Sequence, residues 1–171
     1  MSDTTFVNGS TLTDADWMND INRLHYTLLG DPATIAAIKN ALFPTTEWVT
    51  PAFSAGDFTA DGSMTWTVGA GDVTTYAYII NGKMMTIMFA IETSSIGGTP
   101  SDTVKIAIPA SKVATKQTTS FCILSDNGAA GGKVTVVASG TVLNIGRIDG
   151  AVFTSSTNTT AVQGQITFEI N

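Results

Sequence analysis

The chain has 171 residues, enough for one ordinary domain or a small domain with an appendage, and at this length roughly 70% of the unfolded surface is buried without metal or disulfides. Charged residues are only 13% and the net charge is −6 with no basic run, which excludes the clustered positive charge that nucleic-acid binding needs. One cysteine and one histidine exclude an internal disulfide and a Cys- or His-rich metal site, and no apolar run approaches the roughly 20 residues of a bilayer span.

The first element is a helix. Thr13-Asp14-Ala15-Asp16 supplies an N-cap and first-turn acids that face the positive end of the helix dipole. Trp17, Ile21, Leu24 and Leu28 follow at spacings of four, three and four, one apolar seam that fits about two heptads. His25 stands beside this seam, where a packing or hydrogen-bonding role outweighs that of a base. Gly30 ends the helix, Asp31-Pro32 opens a second, weaker one striped by Ile35, Ile38 and Leu42, and Phe43-Pro44 stops it.

After Pro44 the pattern changes to strand and turn. Strands are expected at 64–68, 74–80, 83–91, 103–108, 120–124, 133–138, 141–148 and 163–170, with Asn81-Gly82 as a hairpin turn and Gly128–Gly132 as a flexible one. Short strands separated by Gly, Asn and Ser turns, with no βαβ alternation, predict a mainly β fold, an antiparallel β-sandwich of jelly-roll-like form behind a short helical anchor. The expected domains are therefore an arm and oligomerisation segment at 1–43 and a β body at 44–171. Trp48, Phe58, Trp66, Phe89, Phe121 and Phe168 are read as core, and Cys122 as a buried strand thiol. The polar stretch 148–162 reads first as a long surface loop or edge strand and second as a recognition loop.

Two stretches resemble virion proteins of tailed phages. Phe6-Val7-Asn8-Gly9-Ser10-Thr11-Leu12-Thr13-Asp14-Ala15-Asp16-Trp17-Met18-Asn19-Asp20-Ile21-Asn22, continued by Tyr26-Thr27-Leu28-Leu29-Gly30-Asp31, resembles the N-terminal segment of tail-fibre and related proteins. The run 75–109, with its Asn81-Gly82-Lys83 turn and its Ile106-Ala107-Ile108-Pro109 end, is similar to small β-sandwich modules of phage fibres and head-decoration proteins. Together they cover about half the chain. The resemblance implies a homotrimer that docks to other virion proteins, a tail adaptor or hub or the major capsid protein, through its N-terminal segment. It further implies host-surface attachment to a glycan or protein, or, as the alternative, a capsid decoration role that cements the head.

Catalysis is the least favoured reading. A hydrolytic triad would have to recruit His25. Asp57, Asp61, Glu92 and Asp102 sit in or beside Gly-rich turns, where Asp bonds its own backbone, so a small glycan-active enzyme is the outsider and a non-enzymatic protein with no cofactor the expectation. Met1-Ser2-Asp3-Thr4-Thr5 has no secretion-signal pattern, consistent with a virion part assembled in the host cytoplasm, with no membrane insertion. The residues expected to matter are Trp17, Ile21, Leu24, His25 and Leu28 for anchoring and oligomerisation. Tyr76, Tyr78, Phe153, Thr154 and Asn158 are the candidates for surface recognition.

Overall fold

A computed structural model of the protein describes residues 47–171. The anchor residues Trp17, Ile21, Leu24, His25 and Leu28 lie outside the described residues, as does the expected helical segment. The described part is mainly antiparallel β, with nine strands: β1 (Phe58–Ala60), β2 (Met64–Thr67), β3 (Val73–Asn81), β4 (Met84–Gly98), β5 (Thr103–Ala107), β6 (Thr118–Asp126), β7 (Ala129–Val136), β8 (Val142–Arg147) and β9 (Ser156–Glu169). Short 3-10 turns at Ala55–Asp57, Ala70–Asp72 and Pro109–Ser111 connect some of them.

Hydrogen bonding joins all nine into one sheet in the order β1-β5-β8-β7-β6-β9-β4-β2, with β3 also on β4. The long strand β4 organises it. One edge of β4 pairs with β9, while its other edge pairs with β3 along Met84–Ile91 and with β2 along Ser95–Gly98. Between those halves the register with β9 shifts twice, from Ile91 to Ser94 to Ile96, and Thr93 takes a positive φ of 56°. Such a bulge bends a strand and increases its twist. The two ends of the path, β1 and β2, are joined by the short turn 61–63 and pack on each other, which leaves the sheet nearly closed.

The interior follows from the period-two alternation of strands. Met85, Ile87, Phe89 and Ile91 point inward from β4 and Val162, Ile166 and Phe168 from β9, none more than 2% exposed. Val104, Ile106, Leu143, Ile145, Val134 and Val136 complete one continuous core. Phe58 anchors an aromatic corner, with edge-on contacts to Trp66 and Tyr76 at centroid distances of 5.7 and 5.8 Å. Polar groups inside are paired: the Trp66 indole N–H donates to Ser94 Oγ at 2.8 Å, and that hydroxyl donates to the Thr160 carbonyl at 2.7 Å.

Each of the eight expected strands has a counterpart here, the one expected at 83–91 running on to Gly98, and three further details differ. The three-residue β1 escaped the sequence reading because its alternation is too short to register. Gly128–Gly132 is not a flexible turn: β7 begins at Ala129, and Gly131 and Gly132 lie inside it. The stretch 148–162 is loop only to Ser155, and from Ser156 it is β9. Within it Thr157–Thr159 are exposed, Thr160 and Val162 are buried, and the strand pairs with β4 and β6.

Candidate functional site

The outer surface of β6 is the most unusual feature of the body. Leu124 points inward, so Thr119, Phe121 and Ile123 point outward; Phe121 is 78% and Ile123 69% exposed. In the antiparallel pairing with β7, Phe121 lies opposite Lys133 and Ile123 opposite Gly131. Gly131 carries no side chain, and a β-carbon there would stand 3.0 Å from the Ile148 Cγ2. The glycine thus lets the exposed Ile148 fold up against the strand, while the Ile148 N–H donates to the Gly131 carbonyl at 3.0 Å. Phe121, Ile123 and Ile148 therefore form one apolar strip. Around it are Thr119 and Thr135, hydroxyls 3.0 Å apart, and Gln163, which faces Ile123 from β9.

The inner side of the same strand is as tightly specified. Cys122 faces Gly132 on β7 and Gly164 on β9. A β-carbon on Gly132 would meet the Cys122 sulfur at 2.6 Å and Leu124 Cβ at 2.9 Å; one on Gly164 would meet Cys122 Cβ at 2.8 Å. Two glycines therefore make the space that a single thiol fills. Burial pushes that thiol up to about 11, so it is neutral across the physiological range.

Beside the strip, a clamp fixes the loop 148–155. The Asp126 side chain is fully buried. It accepts from Arg147 Nη1 at 2.8 Å, from the Thr154 N–H at 3.0 Å and from Thr154 Oγ1 at 3.1 Å. Arg147 reaches on to Asp149, donating through Nε at 3.0 Å and Nη2 at 2.7 Å. The fork of hydrogen bonds from Arg147 holds the Asp149 carboxyl well below the usual carboxylate range. Asp149 Oδ1 also accepts the Ala151 N–H at 3.0 Å, and the Phe153 N–H donates to the Ser101 carbonyl at 2.8 Å. This is a rigid surface, not a loose loop.

The expected recognition residues separate. Tyr76 and Phe153 belong to the core, at 5% and 1% exposure, which corrects their reading as surface groups. The Tyr76 hydroxyl donates to the Ala107 carbonyl at 2.6 Å, and burial raises its pKa far above that of a free tyrosine. Phe153 fills the interior because its own N–H is tied to Ser101. Tyr78 is half-buried and packs against the core. Thr154 and Asn158 are exposed, but Thr154 is held by Asp126, and Asn158, at a φ of 55°, exchanges hydrogen bonds with Ser95 Oγ. Phe121 and Trp48, read as core, are exposed instead.

The acids considered for catalysis do not gather around a cleft. Asp61 pairs with Lys105, Asp102 accepts from the neighbouring Thr103 hydroxyl, and Glu92 is exposed on β4. Among the described residues no cluster of three His, Cys, Asp or Glu side chains is placed to hold a metal ion. A cleft of about 380 Å³ opens where residues 50–53 leave the edge of β3, lined by Pro51, Phe53, Val73 and Tyr76 among others. Val49 and Tyr78 exchange both main-chain hydrogen bonds there. Two residues on, Pro51 has no N–H with which to continue the ladder. No family model, no curated protein and no solved structure matches the chain.

Proposed function

We propose that this chain is a non-enzymatic structural protein of a tailed-phage virion, a short tail fibre or tail-attached appendage. In this reading residues 1–43 dock it to other virion proteins and hold three copies together, while the β body is presented to the host surface. The jelly-roll-like reading of the body belongs to this proposal as well, supported by a nearly closed antiparallel sheet around one core, since closure removes free strand edges.

One observation carries the reading: a rigid β body displays an apolar strip, Phe121, Ile123 and Ile148, beside a loop locked by the Asp126–Arg147–Asp149 network. Neighbouring large apolar side chains exposed on a paired strand are the kind of feature that marks an interaction surface. The resemblance of residues 6–31 and 75–109 to virion proteins agrees with assembly as that purpose. Multivalency then turns several weak contacts into firm attachment.

The test is copy number, measured by quantitative mass spectrometry of purified particles against the major capsid protein. A dozen or so copies supports the tail appendage. A value near that of the capsid protein transfers the same body to a decoration role. Absence of the chain from washed particles overturns the virion reading altogether.

A further inference from the structure

We infer that the outer face of β8 carries a saccharide subsite, a hollow floored by Gly146 that grips a neutral sugar ring by its hydroxyls. This inference rests on the host-attachment reading above and names its ligand class, a surface glycan.

The hollow follows from strand parity. Leu143 and Ile145 point inward, so Asn144 and Gly146 face out, with Thr103 of β5 and Lys133 of β7 on either side of Gly146. The missing side chain leaves about 140 Å³, walled by Asp102, Thr103, Lys133, Thr135, Asn144 and Arg147. A β-carbon on Gly146 would stand 2.8 Å from the Asp102 carbonyl oxygen, so the floor is bare backbone. Sites that enclose drug-sized ligands hold roughly 300–1,000 Å³; this one suits a single ring held at its edge. The walls are set before a ligand arrives, because β8 is paired on both sides and Arg147 is fixed by Asp126 and Asp149. Little freedom is then lost on binding.

The lining selects the ligand. A free anion meets the Asp102 carboxylate, and the Arg147 charge is already matched by Asp126 and Asp149. A free cation meets Lys133 and Arg147. An apolar ligand would take water from polar groups on every side without replacing it. The match is a neutral molecule whose groups both donate and accept, which is the character of ring hydroxyls. The Asn144 amide offers both functions, Asp102 accepts, and Lys133 and the two Arg147 N–H groups not engaged by Asp126 and Asp149 donate. Among the described residues no side-chain hydrogen bond or ion pair engages Asn144 or Lys133. Phe121, 78% exposed, lies opposite Lys133 on β6. It stands two strand spacings from Gly146, about 10 Å, where its ring can carry the apolar face of a following sugar.

The experiment uses the full chain. Saturation-transfer NMR is run against glucose, galactose, mannose, rhamnose, N-acetylglucosamine and their disaccharides, with glucuronate and inorganic phosphate as acidic probes. The strongest binder is then titrated by calorimetry. The expected result is that a neutral sugar binds and that Asn144→Ala, shown to be folded by circular dichroism, weakens it about ten-fold, the scale of one lost hydrogen bond. Phe121→Ala removes an exposed ring and is expected to weaken a disaccharide by a similar factor. No signal from any neutral sugar, a signal from glucuronate or phosphate alone, or a binder that neither variant weakens overturns the subsite. These outcomes are separate from copy number: particles that carry the chain while it binds no sugar keep the virion reading without the subsite, and a sugar-binding chain missing from particles does the reverse.

Discussion

Removing the carboxylate of Asp126 tests whether the clamp, not the strand pairing alone, fixes the surface beside the strip. Asp126→Ala takes away a fully buried side chain that accepts from Arg147, from the Thr154 N–H and from the Thr154 hydroxyl. Loss of one partner from a buried ion pair costs about 3–5 kcal/mol. Here the other partner is screened and re-paired, since the Arg147 side chain is 20% exposed and keeps both bonds to Asp149. The Thr154 N–H gains some access to water once the loop lifts. The expected loss is about 2–3 kcal/mol, at or below the lower limit of that range. For a chain of this length it lowers the melting temperature by roughly 4–12 °C, at about 2–4 °C per kcal/mol. Urea unfolding of wild type and variant gives the difference directly, and limited proteolysis is expected to cut first between 148 and 155. A variant within about 0.5 kcal/mol of wild type, a change typical of uncommitted surface positions, with no new cleavage in that loop, would show that the clamp contributes nothing and that the reasoning from its geometry is wrong.

Other outcomes follow from the same contacts. Gly132→Ala drives a β-carbon into the Cys122 sulfur and is expected to cost about 1–3 kcal/mol as overpacking; adding Cys122→Ala removes the sulfur and restores part of that loss, read from a double-mutant cycle in urea. Because burial pushes the Cys122 thiol up to about 11 when folded, from the ordinary thiol value of 9.0 when unfolded, the unfolded chain releases its proton first. Stability from this group is intact below pH 9, declines as pH rises toward 11, and the decline disappears in Cys122→Ala. Asp149 behaves oppositely: its folded carboxyl is held low, so its contribution is present above about pH 4 and fades as the solution is made more acid. Asp149→Asn is therefore expected to flatten the acid limb of stability against pH. Trp66→Phe keeps an aromatic ring in the corner but leaves the Ser94 hydroxyl without its indole donor, and loss of that hydrogen bond alone is expected to cost about 1–2 kcal/mol, read by thermal melting.

The strands were legible where one face is apolar and the other polar. Val104, Ile106 and Ile108 alternate with Lys105 and Ala107, and the structure buries those three. Asn81-Gly82 marked the β3–β4 hairpin for a local reason: Gly82 takes a φ of 59°, which a side chain resists. What the sequence hid is long-range. Gly131 and Gly132 look like turn residues to any local rule, yet they sit mid-strand because Ile148 and Cys122, distant in the chain, occupy the space their β-carbons would need. Phe153 follows the same logic, drawn from a polar stretch into the core by anchors at Ser101 and Asp126 that no local pattern announces.

Phe121-Cys122-Ile123-Leu124 is the case where the code is ambiguous for a physical reason. Four consecutive apolar residues on a strand give both faces an apolar character, so parity alone cannot say which side is the core. The neighbouring strands decide it: Gly132 and Gly164 can receive Cys122, and the opposite side offers only Gly131, Lys133 and Gln163. With Cys122 and Leu124 turned inward, Phe121 and Ile123 have no interior left to enter. A strand apolar on both faces in an otherwise alternating sheet is the signature of a second surface to be covered, as in strands buried on both sides of a sheet. Nothing described on this body covers that second surface, and its high exposure follows from the register itself. The same register that makes Cys122 unreactive makes Phe121 available, so a substitution that shifts β6 by one residue would exchange their roles and lose both the core and the strip at once.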